Sequence, residues 1–137
     1  MISVKAYYGR EPQILRTHDD VVSFLESVRV DSESLGYPIM TLWYVNGDEH
    51  TPEFGVGVNS DLGALSYSGR LYPGIWFSSG DVDVRGDDVL SYDYQGSEMP
   101  VPVRGEIPYA DVLDAAVEFF RLDGDRPMSV RWQKLVR

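Results

Sequence analysis

The chain has 137 residues, 43% of them hydrophobic and 25% charged. This suits one globular domain spanning 1–137 and excludes wholesale disorder. There is no cysteine, which removes disulfides, thiolate zinc sites and cysteine nucleophiles together. Twelve basic against 22 acidic residues leave a net charge of −10 at pH 7, so the body repels phosphate backbones and anionic membranes and favours a basic partner.

The first residues, Met1 to Tyr8, lack the apolar core and small-residue cleavage site of a signal peptide. No apolar run approaches the roughly 20 residues of a membrane helix. These features point to the cytoplasm, with no membrane and no direct nucleic-acid contact.

Period-two segments predict strands near 2–8 and 13–16. A helix follows Thr17, whose hydroxyl suits an N-cap, with Asp19 and Asp20 at the positive end of the helix dipole. Val21, Val22, Phe24, Leu25 and Val28 share one side, and the helix should fade by Val30, before the polar stretch Asp31-Ser32-Glu33-Ser34. Further strands are expected near 39–45, 53–59, 63–68, 75–79, 89–95, 101–106 and 128–134, with hairpin turns at Asn46-Gly47 and Ser60-Asp61.

A second helix starts at Pro108, whose fixed φ suits a first turn, and ends before Gly124, a natural left-handed cap. Its apolar stripe centres on Tyr109, Leu113, Ala116, Val117 and Phe120, widened by Val112, Ala115 and Phe119. The expected architecture is α+β: a strongly twisted antiparallel β-sheet with two α-helices packed on one face.

Catalytic and metal chemistry finds little support in the residues. The two histidines, His18 and His50, have no partner at a fixed spacing and read as solvated. Asp81-Val82-Asp83-Val84-Arg85-Gly86-Asp87-Asp88 begins like a calcium loop. Arg85 then puts a cation at the fifth position and Tyr92 replaces the bidentate glutamate at the twelfth. Gly55-Val56-Gly57 lacks the third glycine of a dinucleotide cradle, and no Gly-x-Ser-x-Gly elbow occurs. Catalytic, cofactor and metal residues are therefore all expected to be absent.

Aromatics beside acids are the more distinctive feature. Residues 81–98 hold Asp81, Asp83, Asp87, Asp88, Asp93 and Glu98 against one base, Arg85, between strands carrying Trp76 and Tyr92. Aromatics supply contact area at low entropic cost, and an acidic rim steers a basic partner. The expected contact residues are Asp81, Asp83, Asp87, Asp88, Trp76 and Tyr92.

The segment Glu106 to Phe120, with Gly124, Arg126-Pro127 and Val130-Arg131-Trp132, joins Gly63-Ala64-Leu65-Ser66-Tyr67-Ser68-Gly69 upstream in a familiar pattern. It resembles the first-numbered immunity-protein family of bacterial polymorphic toxin systems. There, an Ala-Val-x-Glu-Phe-Phe helix ends at glycine, and Arg-Pro leads into a last strand with Val-x-Trp. The match covers most of the chain in element order and is most distinctive in the last thirty or so residues. Here Asp125 adds an acid between Gly124 and Arg126. The resemblance implies a cytoplasmic antitoxin without catalysis, often paired with a nucleic-acid deaminase. Phe119, Phe120, Trp132 and Leu65 then read as core, and the deaminase signature itself is absent. The expected function is an immunity protein that covers a cognate toxin domain's active site or substrate groove. The alternative is a small carbohydrate-active or hydrolytic domain using paired carboxylates.

Overall fold

The computed structural model describes residues 3–9, 11–45, 52–69, 72–80 and 88–134. The elements run β1 (Val4–Tyr7), β2 (Gln13–Leu15), α1 (His18–Leu35), β3 (Ile39–Val45), β4 (Glu53–Asn59), β5 (Leu62–Gly69), β6 (Tyr72–Ser78), β7 (Val89–Tyr94), β8 (Ser97–Pro102), β9 (Ile107–Pro108), α2 (Tyr109–Arg121) and β10 (Trp132–Lys134). The fold is α+β, with ten strands in an open, largely antiparallel sheet and two helices. Along the main path the order is β10-β6-β5-β4-β3-β1-β2. The β7–β8 hairpin joins through one parallel pairing, Ile39 with Asp93, and β9 adds to β5. None of the described helices is long and apolar enough to cross a membrane.

Thr17 caps α1 as its position predicts. Its side chain accepts the Asp20 amide at 3.0 Å, and the Asp20 carboxylate accepts the amides of Arg16 at 2.9 Å and Thr17 at 3.2 Å. These amide bonds hold the Asp20 carboxyl below its usual range. The helix does not fade at Val30 but continues to Leu35 and stops at Gly36, left-handed at φ 77°. The polar stretch stays helical because Ser32 turns inward. Its hydroxyl donates to the Arg29 carbonyl at 2.8 Å and accepts the Ser60 amide at 3.0 Å. Glu33 and Ser34 are exposed, and the half-buried Asp31 accepts from the Tyr8 hydroxyl at 2.5 Å.

The two sides of β3 and β4 face different partners. Ile39 and Trp43 of β3, with Phe54, Val56 and Val58 of β4, lie in the core beneath both helices. Met40 and Leu42 turn the other way, into a second core with Ala64, Tyr92 and Val101. The sheet is thus covered by helices on one face and, in part, by the β7–β8 hairpin on the other. That second layer is absent from the sequence expectation. It depends on Gly57, where an added Cβ would come within 2.6 Å of the Tyr92 ring.

On the helix face, α2 buries Tyr109, Val112, Ala115, Ala116 and Phe119. Phe119 stacks on Phe54 at 4.4 Å. Leu113, Val117 and Phe120 are only partly buried. The apolar stripe is real, but its centre lies at Val112, Ala115 and Phe119, one position away from the expected Leu113, Ala116 and Phe120.

Strand boundaries also move at the end of the chain. The Gln95-Gly96 turn, with φ 50° and 88°, closes β7 onto β8, so β8 starts at Ser97 and not near residue 101. Val103 donates its amide to Asp88 at 3.0 Å, in register with the β7–β8 ladder. Alternation then points the nitrogens of Pro100 and Pro102 to the edge of β8 that is unpaired among the described residues, where a missing donor costs little. The last strand shortens to Trp132–Lys134 because Glu118 holds Met128 and Ser129 instead, accepting their amides at 2.7 and 3.1 Å.

Candidate partner-binding face

The segment joining β6 to β7 has both of its stems held by the short 3-10 turn Val103–Gly105. Gly80 donates its amide to the Arg104 carbonyl at 2.7 Å, and Asp88 accepts the Val103 amide at 3.0 Å. The first stem is braced further by Ser79, whose amide donates to the Arg131 carbonyl at 2.8 Å. Beneath it the buried Ser78 hydroxyl donates to the Gly105 carbonyl at 2.6 Å and accepts the Leu65 amide at 2.9 Å. Asp81, Asp83 and Asp87 lie outside the described residues. Asp88 stands exposed on the second stem.

Trp76 and Tyr92 are on strands flanking this segment, as expected, but on opposite sides of the sheet. Trp76 packs against the core of the helix face, whereas Tyr92 belongs to the hairpin-side core. Tyr92 has 0% exposure and cannot be a contact residue in this structure. Its ring fills the space above Gly57, and its hydroxyl donates to the Glu106 carboxylate at 2.8 Å. Glu106 also accepts from Asn59 at 3.0 Å. Burial first, and the Glu106 carboxylate second, push the Tyr92 hydroxyl far above its ordinary pKa of 10.0. An aromatic in an alternating strand reads equally well as core or contact, and packing beneath a glycine from another strand decides for core.

Trp76 lies in an aromatic cage around a cation. The Arg126 guanidinium sits 3.8 Å from the Tyr72 ring centre, 4.9 Å from Trp76 and 5.6 Å from Trp132. Lys134 lies 5.9 Å from Trp76. Arg126 Nε and Nη1 are buried with no hydrogen-bond partner among the described residues, and aromatic faces stand in for acceptors. Trp132 Nε1 donates to the Pro127 carbonyl at 2.7 Å, and the Tyr67 hydroxyl donates to Gly124 at 2.8 Å. Burial and nearby Asp125 push that hydroxyl up to about 12. The Arg-Pro turn therefore docks onto β6 and β10 through this aromatic cage. The spacing of Tyr72 and Trp76 together with the Arg-Pro pair was the available signal, but no local rule connects them.

His18 starts α1 in the open, its Nδ1 3.7 Å from a still more exposed Asp19. His50 lies outside the described residues. Among the described residues, no three His, Asp or Glu side chains are grouped to hold a metal ion.

These features define an acidic α+β protein whose buried polar groups, among the described residues, serve packing. Residues 9–134 match the family model described as Immunity protein Imm1, and the chain belongs to this immunity-protein family. No curated protein matches the chain.

Proposed function

We propose that this chain neutralises a toxin domain by binding it and covering its active site or substrate groove. The reading is carried by the immunity-family match over residues 9–134. The net charge of −10 supports a basic partner. A toxin that acts on nucleic acid, such as a deaminase, needs a basic groove for phosphates, and carboxylates can occupy that groove in their place. Asp81, Asp83, Asp87 and Asp88 are the acids assigned to this role, with Trp76 on the preceding strand. The protein acts in the cytoplasm, by occupancy and without turnover.

The test is co-expression with the C-terminal domain of the polypeptide encoded beside this chain. The expected result is rescue of growth and a stable copurifying complex. Growth arrest despite soluble expression of both chains overturns the reading. Within a working pair, Asp87→Lys with Asp88→Lys should lower the association rate and weaken its salt dependence, with the urea midpoint unchanged.

A further inference from the structure

The two helices leave an open groove of about 730 Å³ between the start of α1 and the outer side of α2. Its apolar lining is Val22 from α1 and Leu113, Val117 and Leu122 from α2 and its end. Val22 is half-buried, and Leu113 and Val117 belong to the part of the α2 stripe that is only partly buried. Leu122 is 44% exposed, and Met128, whose amide is held by the groove residue Glu118, is 68% exposed. Methionine is an adaptable side chain common on binding surfaces.

The charges choose among occupants. Asp114 and Glu118 line the groove against Arg121, and exposed Asp19 follows His18 at its end. A second copy would bring two bodies of charge −10 together and is opposed by their repulsion. A basic partner meets attraction instead. The groove is also linked to the Ser79 stem that precedes the acidic residues in sequence. The stretch 128–131 begins at Met128 and Ser129, held by Glu118, and ends at Arg131, whose carbonyl holds the Ser79 stem. Three residue steps span roughly 10 Å of backbone, so one partner can reach both.

We infer that this groove seats an apolar side chain of the toxin, presented on a segment flanked by Lys or Arg. The inference rests on the immunity reading and divides its labour: the groove anchors the complex, and the acidic segment speeds encounter.

The experiment measures binding kinetics of the full chain with the toxin domain named above. Leu122→Arg with Met128→Arg should raise the dissociation rate about thirtyfold or more, the scale of a hot-spot loss, with the association rate little changed. Both side chains are exposed, so the fold should survive, as urea melts can verify. Leu122→Ala, a milder change, should raise dissociation in the same direction. Unchanged dissociation for a wild-type pair that binds and rescues overturns the groove and leaves the immunity reading standing. A wild-type pair that neither binds nor rescues defeats the immunity reading itself. A wild-type dimer in sedimentation that Leu122→Arg converts to monomer also overturns the inference, because a second copy then owns the groove.

Discussion

The two faces of the sheet reach a closed core by different means. The helix face gathers twenty buried side chains from helices and strands among the described residues, while the hairpin face gathers five. The large core is built from periodic apolar stripes, each recognisable within its own element. The small one is built from a large residue over a missing one, Tyr92 over Gly57, brought together from distant parts of the chain. The first kind of packing tolerates local error because many contacts share it. The second concentrates the fit in few atoms.

This contrast can be tested, starting with the largest effect. Phe119→Ala removes a fully buried ring stacked on Phe54 and should cost about 3–5 kcal/mol in urea unfolding. Phe120→Ala, half-buried one position on, should cost no more than about half of that. Equal losses would mean that α2 is rotated from its described position.

On the hairpin face, Gly57→Ala should cost about 2 kcal/mol, because the new methyl overlaps the Tyr92 ring at 2.6 Å. A neutral result would show that this core yields easily and would erase the contrast. Tyr92→Phe should then cost about 1.5 kcal/mol, since it deletes a hydrogen bond to a carboxylate, the Glu106 side chain. The same melts should show Asp114→Ala, on the exposed side of α2, changing stability by no more than about 0.5 kcal/mol.

Both faces contribute to one pH response. Burial is the first cause that raises the hydroxyls of Tyr8, Tyr67 and Tyr109 on the helix side and of Tyr44 and Tyr92 on the hairpin side. The unfolded chain releases these protons near pH 10, whereas the folded chain retains them. The unfolded state then binds fewer protons, so stability is intact below about pH 10 and falls as pH rises beyond it. Urea midpoints measured across that range should decline, with phenolate absorbance rising mainly as the protein unfolds. Midpoints that stay flat to high pH would show that these hydroxyls ionise in place.

Much of the helix face was legible in the sequence. Strands β3 and β4 fall on their expected residues, 39–45 and 53–59, because alternation and turn residues bound them. Thr17 and Pro108 mark the helix starts for local reasons of capping and fixed φ. The centre of the α2 stripe was not legible, because Phe119 and Phe120 are equally apolar and only the sheet selects one. The hairpin layer, the Glu106 acceptor and the Arg126 cage were missed for a common reason. Each depends on residues far apart in sequence, and no periodicity connects them. For the contact residues, sequence proximity suggested one patch of Trp76, Tyr92 and the acids. The sheet separates the two aromatics, since a strand and its neighbours have two sides.

Pro100 and Pro102 have a consequence for the protein on its own. Their nitrogens face the edge of β8 that pairs with no strand among the described residues, where an incoming strand would look for amide donors, and there are none at those two positions. The edge cannot template strand addition across that length, whether by another copy or by an unfolded chain. A blunted edge of this kind helps keep the chain dispersed.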